Sequence, residues 1–468
     1  MRKALTVFMA LALVALSGTA AQATNGYQLI GIGQLQKSMG GAVTAAPRDS
    51  MTAITNPAGI ARIGSRADFS MEAFMPTRSV DFSGMAQGMG KGMRSEGGTD
   101  MYGIPAIGWT APTSRDGVYF GGGMYGTSGL GVDYGQVTMI SKDSMAGMGM
   151  GLTDDVTFTG HSSIMFWKMA PTLAVDINDK TTLGFALNLD YQSVAITQRL
   201  RNVPLNAMGQ AMYGGATEVD VNFDLGRPTS QFGMGFTLGG LYDVNDMVTI
   251  GAMYSSKQSF SDAEFQLGQG DVEVYEGATG MPGVYTMELN YPSQYAIGVA
   301  IKPVDKLLVA IDFKQINWSE THDKVKFSGP AGSFMTMAGP ATSIDLNFGW
   351  EDQTIYAIGL VYAATGDLDL SAGYNQGDAP IGPEDVFNNL VLPATVETHY
   401  TLGADYKLGS HWGLGLTYMK AKAEKITGAY DVPAGFQDAT GIAPFSASSS
   451  IAIELEEESI GTQLSYRF

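Results

Sequence analysis

Lys168 and Lys314 are the residues whose setting first points to a chemistry. Lys168 lies between Trp167 and Met169, with Leu173 and Val175 beyond, and Lys314 follows Leu307, Val309, Ile311 and Phe313. Both stretches alternate, and a period of two sends successive side chains to opposite faces. If the apolar sets face hydrocarbon, each lysine turns into an enclosed interior, Lys314 beside Asp312. A carboxylate entering such a low-dielectric space needs a cation to offset its lost hydration. The competing reading for each lysine is an internal ion pair with a neighbouring acid. Arg199 and Arg201, on a predicted loop, are weaker carriers of the same role.

Methionine, 27 of 468 residues, collects in predicted loops. Met85, Met89 and Met93 are spaced i, i+4, as are Met208 and Met212, and Met145, Met148 and Met150 cluster. Flexible, polarisable thioethers suit a surface that must fit varied apolar ligands. Residues 139–150 and 205–213 are therefore the expected capture groove. Packing of the loops onto one another is the alternative. A thioether copper(I) site would lack supporting His or Cys nearby. His161, His322, His399 and His411 are scattered, and there is no G-x-S-x-G elbow for a hydrolase. With zero cysteines there is no thiolate nucleophile, disulfide or cysteine metal site. No phosphate loop is present either, so neither an enzyme, a cofactor nor a metal is expected.

The elements that must position these residues are short and repetitive. Alternation predicts fourteen strands at 68–82, 101–112, 117–133, 163–178, 180–198, 230–244, 247–264, 286–303, 306–324, 347–363, 367–375, 396–408, 411–424 and 450–468. Very short joints (Pro112 to Gly117, Asn178 to Lys180, Val244 to Asp246, Pro303 to Asp305, Thr365 to Asp367, Leu408 to Ser410) alternate with long loops. An even strand number with that asymmetry predicts an all-β fold, a 14-stranded antiparallel transmembrane β-barrel with both termini on the periplasmic side. Tyr119, Tyr125, Trp167, Tyr242, Tyr254, Trp318, Tyr374, Trp412 and Tyr466 near segment ends fit aromatic girdles. The ending Leu464, Tyr466, Phe468 resembles the C-terminal signature of bacterial outer-membrane barrels.

Arg2 and Lys3, an apolar run from Ala4 to Leu16 and the small residues Ala21 and Ala23 predict a secretory signal over 1–23. Only 16% of residues are charged while 45% are hydrophobic, as suits a chain that shows apolar surface to lipid. The net charge of −19 argues against nucleic-acid binding.

Residues 24–66 do not alternate. They are rich in Gly and Ala and end in Asn56-Pro57-Ala58-Gly59-Ile60-Ala61, so an apolar plug is expected there, with the barrel over 67–468. This Asn-Pro-Ala element, behind a Gly/Ala-rich stretch, resembles that of the FadL family of outer-membrane transporters for hydrophobic compounds, which includes TodX-like aromatic-hydrocarbon members. Tyr291-Pro292 leading to Ile297-Gly298, Leu392-Pro393 leading to Leu402-Gly403, and Asn317-Trp318-Ser319 are also similar. The resemblance implies a hatch inside the barrel, with Asn56, Pro57, Ala58 and Gly59 as hatch or gating residues; a buried turn without ligand contact is the other reading of them. It implies passive uptake of a long-chain fatty acid or another hydrophobic small molecule, captured by the loops, bound in the lumen and released by the hatch. Aromatic hydrocarbons or alkanes are the alternative cargo, and a general porin is less favoured. Outer-membrane lipid and lipopolysaccharide would surround the barrel, acting as a monomer.

Overall fold

The computed structural model describes residues 24–468 except 86–91, 99–100, 144–153, 206, 213, 269–272, 276–277, 280, 337–338 and 430–449. The expected signal segment, 1–23, lies outside the described residues. Fourteen antiparallel strands close into a ring: β1 Arg66–Asp81, β2 Tyr102–Pro112, β3 Val118–Ile140, β4 Val156–Met169 continued as Thr172–Asn178, β5 Thr181–Pro204, β6 Glu218–Asn245 and β7 Val248–Ser255, then β8 Gln294–Val304, β9 Leu307–Ile316, β10 Gln353–Ala363, β11 Leu368–Gly377, β12 Thr398–Leu408, β13 Trp412–Ala429 and β14 Ser450–Arg467. The seam is continuous, β1 pairing with β14 from Arg66↔Arg467 to Asp81↔Ala452. Closure satisfies the strand edges within the ring, as hydrocarbon demands of a sheet, except along β3 beyond Tyr125, where β2 does not pair. Among the described residues no helix is long and apolar enough to cross a membrane.

The two faces follow the alternation. On β5, Leu183, Phe185 and Leu187 are exposed outward while Ala186, Asn188, Asp190 and Gln192 are buried inward. On β12 and β13, Leu402, Tyr406, Leu408, Trp412, Leu414 and Leu416 form the outward band. Tyr242, Tyr254 and Trp412 sit on that outer surface, but Tyr125 and Trp318 are fully buried, so these two belong to the interior and not to a girdle.

Strand limits differ from the alternation pattern where a second sheet intervenes. The stretches around 263, 286, 324 and 347 do not prolong barrel strands. They form a separate four-stranded sheet, 263–267, 283–287, 324–328 and 343–347, over the mouth. Its alternation is identical in kind, so sequence alone cannot say which sheet it joins. In the opposite sense, β5 and β6 run on past the expected ends as a paired ribbon, to Pro204↔Glu218. A break at Ala170-Pro171 divides β4, because proline offers no N–H to the ladder.

The loops share one apolar core that includes Phe82, Met85, Met139, Phe158, Leu205, Tyr285 and Trp350. Within the ring lie residues 24–65, with two one-turn helices, α1 Gln34–Lys37 and α2 Thr52–Thr55, and a 3-10 turn, Pro57–Ala61. Their seat is cut from glycine. A Cβ on Gly184 would stand 2.2 Å from Ala58 N, on Gly239 2.1 Å from Asn56 Oδ1, on Gly251 2.2 Å from Thr44 O, and on Gly373 2.0 Å from Gly40 N. The abundance of glycine, 61 residues, thus has a place: wall backbone touches hatch backbone with nothing between. Lys37, wholly buried, pairs with Glu72 of β1 and ties α1 to the seam strand.

Candidate functional site

Lys168 on β4 and Lys314 on β9 line one central cavity of about 80 Å³, together with hatch residues 28–32, Val43 and Thr44, the loop residue Tyr291 and the barrel residues Gln294, Asp312 and Asn375. Their surroundings differ. Lys168 Nζ stands 4.0 Å from Asp190 Oδ1 on β5 and 5.8 Å from the Phe166 ring centroid. Among the described residues Lys314 has no carboxylate oxygen within 4 Å. Its sequence neighbour Asp312 is committed elsewhere: Oδ2 accepts from Val43 N at 2.9 Å and Thr44 N at 2.8 Å. The ion pair considered for Lys314 is therefore not made, while the one considered for Lys168 is present as a long contact. A cation without a partner beside a cavity can receive a ligand carboxylate at no cost in a broken pair.

Beneath this cavity, towards the short turns, opens a vestibule of about 840 Å³ lined by hatch residues 45–48 and by Lys180, Asp243, Met247, Lys302 and Lys306. Val43 and Thr44 line the space above, Ala45 and Ala46 the space below, so one pass of hatch backbone separates the two. Asp312 holds this septum by its amides. Asn56 holds it by the Thr44 carbonyl, which accepts from Asn56 Nδ2 at 2.7 Å. The same amide group donates to Gly240 O on β6 at 3.2 Å, and Asn56 Oδ1 accepts from Ala58 N at 3.2 Å, capping the 3-10 turn. Asn56, Pro57, Ala58 and Gly59 do not line the central cavity. They are buried against the wall and support the septum from outside it.

A third space lies at the barrel side. Pairing of β2 with β3 begins only at Ala106↔Tyr125, leaving the β3 edge beyond free of β2. The N-terminal segment takes that edge from within: Leu29 N donates to Thr127 O and Gly129 N to Tyr27 O, both at 3.1 Å. An apolar cavity of about 110 Å³ follows, lined by Phe74, Ile104, Leu130, Ile164, Met165 and Trp167 among others. Leu29 and Phe166 border both this cavity and the lysine-lined one.

The expected methionine groove fares unevenly. Met145, Met148 and Met150, and Met89, lie outside the described residues. Met208 and Met212 fall on a short helix, α3 Ala207–Met212, as their spacing implies, but their side chains lie outside what is described. Met85 and Met139 are fully buried in the shared loop core, so packing is their role. Met93 is not helical with Met85: its amide donates to Thr138 O and its carbonyl accepts from Phe82 N, as in a sheet. Sequence reasoning missed Tyr27 to Leu29 and the use of Asp312 for the septum. Both depend on contacts between distant segments, and only Asp312, noted beside Lys314, carried any local signal.

A ring of fourteen strands, an internal hatch, a cavity above it and an open vestibule below it define an outer-membrane channel for hydrophobic compounds. The chain belongs to the family described as outer membrane protein transport protein (OMPP1/FadL/TodX), which it matches over residues 11–468. Solved structures agree in fold. The Pseudomonas putida toluene transporter TodX is similar with a TM-score of 0.67 at 19% identity, covering 95% of this chain and 100% of that one. A Pseudomonas aeruginosa FadL homologue gives 0.70 at 14% identity over 95% and 100%. The Ralstonia pickettii toluene transporter TbuX gives 0.63 at 17% identity over 94% and 98%. No curated protein sequence matches significantly. The family is one of transport channels and not of enzymes.

Proposed function

We propose that this channel takes up amphipathic compounds carrying a carboxylate, long-chain fatty acids above all, by passive diffusion. The observation that carries the reading is the pair Lys168 and Lys314 at one cavity, Lys314 without a carboxylate partner among the described residues. Hydrocarbon cargo has no use for two inward lysines at one cavity, the buried Lys168 and the half-buried Lys314. The headgroup would rest at Lys314, with Lys168 as the second, partly compensated charge. A cavity of about 80 Å³ holds a headgroup and a short part of the tail. The rest of the chain would pass between Leu29 and Phe166 into the apolar side cavity. Release would follow either from that side cavity or through the Val43–Ala46 septum. Capture would fall to the loops, including the segments around Met145, Met148, Met150, Met208 and Met212. Both termini would face the periplasm, and the barrel would work as a monomer among outer-membrane lipid and lipopolysaccharide.

The test is oleate binding to the purified barrel. Lys314→Ala is expected to weaken it about tenfold and Lys168→Ala less, since Asp190 already compensates that charge. Unchanged affinity in the double variant would overturn the carboxylate reading. The apolar side cavity favours a second reading, uptake of aromatic hydrocarbons; toluene binding that survives in the double variant would support it.

A further inference from the structure

Tyr27, near the start of the described chain, is held in a cage of loop aromatics. Its ring centroid lies 4.9 Å from that of Trp318, 5.4 Å from His322, 5.7 Å from Tyr291 and 5.8 Å from Trp350. Edge-on and tilted contacts at these spacings are the favourable ones for aromatic rings. The polar end is matched as well as the ring. Tyr27 OH lies 3.0 Å from His322 Nε2, and His322 Nδ1 lies 2.7 Å from Thr321 Oγ1, which fixes the imidazole plane. Burial pushes the His322 imidazole down to about 3, so it stands neutral at pH 7 and can share a hydrogen bond with a phenol.

The cage is complementary to a phenol, and the protein fills it with a phenol of its own. Were Tyr27 to leave, His322 Nε2 would be a buried polar atom without a partner, a state that disfavours ligands lacking a hydroxyl. The Tyr27 side chain meets its backbone at the ring carbon opposite the hydroxyl, and that backbone runs along the β3 edge, where Gly129 N donates to its carbonyl. Leu130 and Ile164 line both the small void at Tyr27 and His322 and the apolar side cavity of about 110 Å³. A substituent at the para position therefore has apolar space to enter.

We propose that this cage is a binding site for 4-alkylphenols, with the phenol ring in the place that Tyr27 occupies and the alkyl chain in the apolar side cavity. The ring site is distinct from the two lysines and does not depend on the carboxylate reading, although its alkyl arm lies in the side cavity that the fatty-acid tail would enter and Tyr291 borders both the ring site and the lysine-lined cavity. Tyr27 acts as an internal competitor, so removing its ring raises affinity for the ligand.

Calorimetric titration of the Tyr27→Ala barrel with 4-propylphenol and propylbenzene tests the proposal. The phenol is expected to bind Tyr27→Ala about tenfold more tightly than propylbenzene does, and about tenfold more tightly than it binds the wild-type chain. Adding His322→Leu should abolish the preference between the two ligands. Should Tyr27→Ala fail to fold, the wild-type cage is read through Asn25→Cys, the only thiol in a chain that has no cysteine. 4-Propylphenol is expected to raise its rate of maleimide labelling about tenfold, and propylbenzene to leave it unchanged. Equal affinity of Tyr27→Ala for the two ligands, or a labelling rate that 4-propylphenol does not move, overturns the proposal. Oleate is titrated alone into the same preparations with and without Lys314→Ala, so the lysine site is read by its own variant and the cage by the preference for phenol over propylbenzene, and a failure of either is seen without the other.

Discussion

The two ends of the hatch rest on the barrel in different ways. At Asn56–Ala58 the wall is cut back to glycine, so the Gly184 backbone meets the Ala58 backbone and Gly239 meets the Asn56 side chain and the Pro57 ring, with little room to give. At Tyr27–Leu29 the hold is two backbone hydrogen bonds to one strand edge, the Gln28 side chain bonded to Gln294 and Tyr291, and a ring inserted among loop aromatics. Close packing is bistable and costly to disturb, whereas an edge contact and a rotatable ring can be released locally. On the proposed reading, the contrast makes the Asn-Pro-Ala end the fixed point of the hatch and the N-terminal end the part that would yield to ligand.

The sharpest way to break the comparison is at the fixed end. Gly184→Leu sends a side chain into Ala58 and is expected to cost about 3 kcal/mol, read as a fall in the thermal unfolding midpoint of the detergent-solubilised barrel. An unchanged midpoint would mean that the seat is not packed. Between the ends lies the septum. Asp312→Ala removes the acceptor of the Val43 and Thr44 amides; hydrogen exchange at residues 43–46 is expected to rise tenfold or more while the barrel midpoint changes little.

At the releasable end, acid is the probe. The caged His322 is held near 3 by burial, whereas a solvated imidazole titrates near 6.5. As pH falls, the opened form takes up the proton first, so the cage is fully stable above about 6.5 and loses stability progressively towards 3. Near-ultraviolet circular dichroism of Trp318 and Trp350 should fade over that window while the far-ultraviolet barrel signal persists. The smallest effect is that of Tyr27→Phe, which keeps the ring and loses the hydroxyl. A local loss of about 1 kcal/mol is expected, visible as faster exchange at Leu29 and Gly129.

Strand number, the inward turn of Lys168 and Lys314 and the position of the short turns were legible because alternation is local and the bilayer rewards it on every strand. The sheet over the mouth was not, since residues 263–267 and 324–328 alternate as barrel strands do and only their partners tell them apart. Glycine excess was visible in the composition, but which glycines meet the hatch depends on register between segments far apart in sequence. The buried state of Met85 and Met139 was hidden for a related reason: a thioether suits a groove and a core equally. Asp312 was read as a neighbour of Lys314, whereas its bonds run to amides 268 and 269 residues away.

The continuous seam between β1 and β14 has a consequence for biogenesis. The hatch joins the ring directly at Arg66, the first residue of the seam strand, and Arg66 pairs with Arg467 at the other end of the chain. Among the ring strands, the last in chain order is thus the one that locks the first, with the plug attached beside it. A plug fitted this closely to bare wall backbone is most simply enclosed as the ring zips shut, while β14 is still arriving. Closing the seam and seating the plug are then coupled through Arg66.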